Sequence, residues 1–407
     1  MDYKAFLLPL YAVATLFPRL LSLPILPEQI QLTELLFFPL LWAFRDQLRL
    51  LLRKWPLFTA AAAVYLLGNV LSALYSGSTA AILEAGGRVY LAIMVAITVA
   101  YLREYQPRVL TTIWKWFSIG LAGLSLIVYV WVALGGSDPF TLVARFPDYP
   151  YLGNVLRLRG TASVFGMFYM LLLPGLMLAY VDWRAGRAKL WQVMVILFAC
   201  FATIGKENFL FPIGVLLFEA GKHHRYRWIM RGLAGACIAI LMLGTHYLIH
   251  RTGQRLSEPG FSSGRIAVAI PGFEFEETNY TANKRAALLI GARNPWLGVG
   301  PGRFQDHTGE LVATGDYPAH FGRFNPHSAW TGAFAETGAV GLMGLFALVA
   351  ALWYYRPETW TVPAVILQLF LVASVFKDVM NFRGLWVVVG LYLAGNCNRK
   401  KGHRQEQ

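Results

Sequence analysis

The chain is 407 residues long, and 57% of it is hydrophobic against only 14% charged. Soluble domains carry about a quarter charged residues, and the apolar excess here comes in long runs, which excludes a single soluble core and points to membrane spans. The net charge of +14 sits largely in short stretches between apolar runs, so it reports membrane orientation rather than nucleic-acid binding.

Taken in chain order, the apolar runs predict twelve spans: 6–22, 31–44, 56–75, 79–102, 110–134, 160–182, 190–205, 208–220, 232–250, 328–354, 361–376 and 384–396. No small-residue cleavage site follows the first run, which therefore reads as a span and not as a signal peptide. Several runs, above all the pairs 6–22/31–44 and 190–205/208–220, fall short of the roughly 20 residues of a full crossing. Basic clusters occur at Arg45/Arg49/Arg53/Lys54, Arg103/Arg108, Arg184/Arg187/Lys189, Lys222/Arg225/Arg227/Arg231 and Arg399/Lys400/Lys401/Arg404. With twelve spans and a cytoplasmic N-terminus, every cluster falls on the cytoplasmic side, as basic short loops should.

The expected fold is therefore an all-α polytopic membrane protein. Residues 1–250 hold nine spans, 251–327 form one large loop away from the cytoplasm, 328–396 hold three more spans, and 397–407 are a basic tail. A second, smaller outer loop covers 135–159. The aromatics, glycines and helical stretch near 281–293 predict that the large loop is folded.

The large loop concentrates Arg251, Arg255, Arg265, Lys284, Arg285, Arg293, Arg303 and Arg323 with His307, His320 and His327. Guanidinium forks suit phosphate oxygens, so these residues are candidates for an anion site. The plainer reading is solvated charge offset by Glu258, Glu274, Glu276, Glu277, Asp306, Glu310 and Asp316. Arg157 and Arg159 directly precede the apolar run that begins at Gly160. Arg88 falls inside a span near mid-depth, where a charge is costly and suggests function; Glu84, one helical turn away, offers simple neutralisation. With Lys206, Glu207, Lys377 and Asp378, these make up the few charges expected to be buried.

His327 lies in Asn325-Pro326-His327-Ser328-Ala329-Trp330, where the large loop re-enters the membrane. An imidazole there can take a proton from a hydroxyl, or can simply be structural. Residues 294–302, NPWLGVGPG, form a rigid turn; no strand pattern precedes it and no Gly-Lys-Ser/Thr follows, so a nucleotide loop is excluded. Asp306, His307, Asp316 and His320 lack a specific metal-ligand spacing. Cys200, Cys237 and Cys397 form no Cys-x-x-Cys pair.

The run NPWLGVGPGRF, followed by NPHSAWTGAFAETGAVGLMGLF, resembles the signature of the O-antigen ligase and polymerase superfamily. LRLRGTASVFGMF resembles that family's Arg-Gly sequence at the head of a span. The resemblance implies a GT-C-type glycosyltransferase of the bacterial inner membrane with a periplasmic active site and no metal or other cofactor. The implied donor is a glycan on undecaprenyl diphosphate; in the ligase branch the acceptor is a sugar hydroxyl of the lipid A core. By position, His327 matches the family histidine and becomes the implied general base. Arg159 and Arg265 match arginines near the diphosphate, and Arg285 matches less closely; Arg88 and Arg157 are added by their placement. Two departures stand out: Ser328 replaces a frequent asparagine, and Arg265 lies far upstream of Pro295. The rival readings are a glycan polymerase, a protein O-oligosaccharyltransferase, and a flippase for lipid-linked glycans.

Overall fold

Each of the twelve apolar runs carries a helix in a computed structural model, which describes residues 2–18, 31–149, 153–162, 164–253, 262–322, 324–357 and 360–395. The N-terminal part contains α1 (Lys4–Ala14), α2 (Leu32–Phe44), the short surface helix α3 (Arg49–Lys54), α4 (Pro56–Ser76), α5 (Thr79–Glu104) and α6 (Pro107–Ala133). A hairpin of β1 (Val143–Tyr149) and β2 (Gly153–Leu158) follows, then α7 (Phe165–Arg184), α8 (Leu190–Ala202), α9 (Leu210–Lys222) and α10 (Arg227–His246). The large loop holds β3 (Tyr247–Arg251), β4 (Ser262–Ile270), β5 (Phe273–Thr278), α11 (Asn279–Arg293) and α12 (Phe304–Ala313). The chain then enters α13 (Ala329–Tyr354), α14 (Val362–Ser374) and α15 (Arg383–Gly395).

Among the described residues, six helices are long and apolar enough to cross a membrane: α4, α5, α6, α7, α10 with the turn before it, and α13. The protein is thus a helical membrane protein. Helices α1, α8, α14 and α15 are apolar but shorter; at about 1.5 Å per residue, a helix of some 13 residues covers only two thirds of a roughly 30 Å hydrocarbon layer. The basic tail 397–407, together with Arg255, Glu258 and Arg323, lies outside the described residues.

Three boundaries differ from the sequence expectation. The run at 6–22 stops being helical at Ala14, and residues 15–18 lie outside the helix. The run at 232–250 stops being helical at His246, because residues 247–251 are drawn into a sheet with β5. The run at 160–182 becomes helical only at Phe165, since Gly160 sits at φ +57 in a turn packed on Phe168. The loop sheets themselves were not expected: β1–β2 and the three-stranded β3–β5–β4 are both antiparallel.

Side-chain contacts sort the helix ends. Tyr169 Oη accepts from Phe211 N–H at 2.9 Å and Tyr180 Oη donates to Glu219 at 2.8 Å, so α9 runs alongside α7 in the same direction. Helices α8 and α9 are therefore two legs of a hairpin whose turn meets the head of α7, where Arg157 Nε donates to the Thr203 carbonyl at 2.8 Å. Both outer loops gather at this end. The opposite end holds α3, the Arg184–Glu219 pair at 3.0 Å and the start of α4, where Leu57 N–H meets Tyr355. More charge is buried than the sequence suggested. Lys115 pairs with Asp182 between α6 and α7, and Arg383 with Glu34 at 2.6 Å between α15 and α2.

The longest interface is between α4 and α13, where small residues let backbones touch: Gly68 abuts Gly341, and Gly344 abuts Tyr65. Helix α13 is broken at Gly338, whose φ of +64 and ψ of −162 no helix accommodates. The 294–302 turn fills the break. Val299 and Gly300 N–H donate to the Ala335 and Glu336 carbonyls at 3.0 and 2.9 Å, while Ala339 N–H donates to the Pro295 carbonyl at 2.7 Å. Ser72 Oγ donates to the Glu336 carbonyl at 2.6 Å, so the groups freed by the break are taken up.

A β-carbon at Gly338 or Gly298 would need a left-handed backbone and would overlap the facing backbone of Trp296 or of Ala335–Glu336. Gly338→Ala and Gly298→Ala should each destabilise by more than the about 1–2 kcal/mol of the left-handed conformation alone. Gly315→Ala, at φ +77 in open surroundings, should lose only that part. Thermal unfolding of the detergent-solubilised protein reads the difference.

Candidate functional site

His327 is held immediately before α13. Ser328 caps the helix, its Oγ accepting from Trp330 and Thr331 N–H at 3.3 and 3.4 Å. Serine and asparagine are equally good N-caps, so the departure at this position leaves the cap intact. Ala329 N–H donates to the Lys377 carbonyl at 3.1 Å, which ties this segment to the turn between α14 and α15. Between these restraints His327 adopts φ +49, a left-handed conformation that a non-glycine residue holds only when its surroundings enforce it.

The imidazole lies against Tyr280, with ring centroids 4.7 Å apart, and against Phe324 at 5.8 Å. Lys206 Nζ sits 3.0 Å from the Tyr280 ring centroid. Glu207, next in sequence, pairs with Lys377 at 2.8 Å. Arg157 stacks over Phe165 at 4.2 Å beside the same turn. Lys284, one turn after Tyr280 on α11, hydrogen-bonds His246. Three lysines, Lys206, Lys284 and Lys377, thus act on the imidazole with Glu207 as the opposing carboxylate, and Arg157 lies close enough to Lys206 and Lys377 to act on them in turn.

This setting fixes the charge of the ring. Burial, reinforced by Lys377 and Lys206, pulls the His327 pKa from 6.5 down to about 3, so the imidazole is neutral at pH 7 with a lone pair to accept a proton. Burial lowers Lys284 to about 8 and pushes Lys206 down as well. Burial opposes the charge on Lys377, but the Glu207 carboxylate and Tyr280 together leave the pKa raised.

The other predicted residues fall elsewhere. Arg88 is buried between helices, where it hydrogen-bonds Asn69 and Glu336, the latter at 3.1 Å, with Glu84 at 3.7 Å. Its guanidinium is committed to Glu336 of α13. Arg159 donates to the Thr141 carbonyl at 2.8 and 3.3 Å, facing the β1 end of its hairpin. Arg285 pairs with Glu277 at 2.9 Å, and Arg265 is exposed on β4. Of the five arginines, Arg157 is the one whose contacts join the His327 cluster. Asp306, His307, Asp316 and His320 do not converge: His307 faces Glu310 and His320 the Ser262 carbonyl, and no metal-holding group occurs among the described residues.

Lys206, Glu207 and Lys377 were legible only as buried charges, and Tyr280 was not singled out. The available signal was the Tyr280/Lys284 spacing, which puts both on one helix face. Pro326 and Ser328 turn the other way and line a small cavity with Arg88, Glu336, Asp378 and Tyr65. The chain matches no protein-family model and no curated protein sequence.

Breaking a buried ion pair from one side costs about 3–5 kcal/mol, because the partner charge is stranded. Arg88→Met should lower the unfolding temperature accordingly, and adding Glu336→Gln should restore part of the loss. An unchanged melting point in the single variant would show that Arg88 is not a structural ion-pair partner.

Proposed function

We propose that the chain is a GT-C-type glycosyltransferase of the O-antigen ligase class, crossing the bacterial inner membrane twelve times with its loop end in the periplasm. It transfers a glycan from undecaprenyl diphosphate to a sugar hydroxyl of the lipid A core, the last joining step of lipopolysaccharide assembly. One observation carries the reading: a neutral imidazole, His327, sits with Lys206, Lys284 and Lys377 at the loop end of a membrane helix bundle, and Arg157 stands by the same α8–α9 turn. The motif resemblance supplies the substrate class. The gathering of the described basic helix-end clusters away from this site supports the orientation.

The chemistry is a single displacement. The His327 lone pair takes the proton of the acceptor hydroxyl as its oxygen bonds to the anomeric carbon. The bond from that carbon to the phosphate oxygen breaks, and undecaprenyl diphosphate departs with the electron pair. The cations oppose charge growing on the leaving group, a role often served by preorganised electrostatics. In the empty site the ring is a weak base, since its low pKa comes from burial and from cations. Donor diphosphate offsets those cations and raises the ring's pKa, so the base strengthens once the donor is bound.

His327→Ala should lower transfer by about 10²–10⁴-fold while donor binding and membrane insertion persist. The assay combines purified protein with undecaprenyl-diphosphate glycan and lipid A core, and reads the mass shift of the core lipid. An active alanine variant refutes the base, and inhibition by chelator refutes metal-free transfer. A longer lipid-linked glycan in place of a modified core would assign polymerase chemistry to the same site. Lys206→Ala or Lys284→Ala should raise the donor KM about 10-fold or more, the scale of a lost charged hydrogen bond.

The pH dependence follows from the same groups. Neutral His327 is the working form, so activity is lost as pH falls through its pKa. The acid limb of kcat, with donor bound, should lie at higher pH than the acid limb of donor kcat/KM, which reports the empty site. Lys284 must be protonated to meet the donor, so donor kcat/KM should decline as pH rises through about 8.

A further inference from the structure

The β3–β5–β4 sheet has inverted polarity. On β3, Leu248 and His250 point inward and are buried, whereas Ile249 and Arg251 point outward. The inward face carries charge: His250 lies 3.3 Å from Glu276 and 3.8 Å from Glu274. The outward face is apolar. Ile249, Phe275 and Val268 form one cross-strand row, and Arg251, Phe273 and Ile270 form the next. Val268, Ile270 and Phe273 are 51%, 47% and 46% exposed, so none of the described residues covers this part of the face. A sheet bathed in water on its outer side shows the opposite pattern, polar out and apolar in.

The neighbouring element says what covers it. Strand β3 continues directly from α10 without an intervening residue, and α10 is the least buried of the six long apolar helices. Its exposed Ile240 and Leu243 lead along the chain to Ile249. A surface that faces lipid along α10 therefore runs on into the outward face of the sheet. The sheet is open, with β3 and β4 as its edges, and unpaired edge amides are not tolerated inside the hydrocarbon. The depth is thereby bounded to the zone where headgroups and water still reach the edges.

We propose that the outward face of the β3–β5–β4 sheet is a membrane-surface anchor, resting on the leaflet at the loop end of the bundle with Val268, Ile270 and Phe273 at the boundary between headgroups and acyl chains. Exposed Arg251, in register with Phe273 and Ile270, stands where a lipid phosphate would meet it. Exposed Arg265 belongs to the same sheet, which gives it lipid phosphate as its partner in place of the donor diphosphate. The anchor requires only that α10 lie in a bilayer, and so stands or falls separately from glycosyl transfer.

The test uses the full chain with Cys200, Cys237 and Cys397 replaced by alanine, reconstituted into vesicles of phosphatidylethanolamine and phosphatidylglycerol. A nitroxide is placed by Val268→Cys, and separately by Phe273→Cys in case the first perturbs folding. Collision with dissolved oxygen, which concentrates in the apolar phase, is compared with collision by a water-soluble nickel chelate. Strong oxygen collision with loss of nickel collision is the expected result. Strong nickel collision would put the face in water and overturn the anchor. Weak collision with both reagents would mean that protein covers the face, a second copy of the chain included, and would overturn it equally.

Discussion

A helix broken within a membrane protein must find partners for the amides and carbonyls it releases, since an unpaired buried backbone group costs on the order of 1–3 kcal/mol. In α13 that requirement is met by one element, the 294–302 turn, whose own backbone bonds into the break at Gly338 from both directions. The arrangement locks three things at once. It fixes the first turns of α13 against α4, it sets the Glu336 carboxylate opposite Arg88, and it holds the end of α11 against Phe334 of α13. The glycines of the turn serve close backbone approach, with left-handed φ at Gly298, Gly300 and Gly302. They cradle a helix break in place of a phosphate.

Residue alternation then separates charge. Around 326–328 the chain, turned at left-handed His327, sends the imidazole to one side and Pro326 and Ser328 to the other. The neighbouring turn divides in the same way: Lys377 pairs with Glu207 near the imidazole, and Asp378 lines the cavity that holds Arg88 and Glu336. A predominantly cationic chamber and a predominantly acidic one thus stand back to back across two short segments. Had Asp378 and Glu336 shared the imidazole's side, their charges would have favoured the protonated ring even before a donor arrived.

The helices were legible because each apolar run has few ways to satisfy its backbone other than a helix. Their ends were less so. At 247–251 a sheet partner arriving from residues 273–277 outcompetes the helix, and nothing local announces that. The same limit governs the site. His327 stood out by its position at the mouth of a span, and Arg157 by its place before one. The cations that surround the ring come from the α8–α9 turn, α11 and the α14–α15 turn, stretches that meet only after folding. Arg88 shows the converse: local spacing offers Glu84, yet the shorter contact is to Glu336, 248 residues away. Loop arginines looked alike in sequence, and only tertiary contacts distinguish Arg157 from Arg285, already engaged by Glu277.

Lys377 holds the segment bearing the ring in two different ways. Its carbonyl accepts from Ala329 at the head of α13, while its ammonium faces Glu207 on the α8–α9 turn. One residue thereby joins the head of α13, the α14–α15 turn and the α8–α9 turn, so the place of the imidazole depends on three separate stretches of chain meeting at a single side chain.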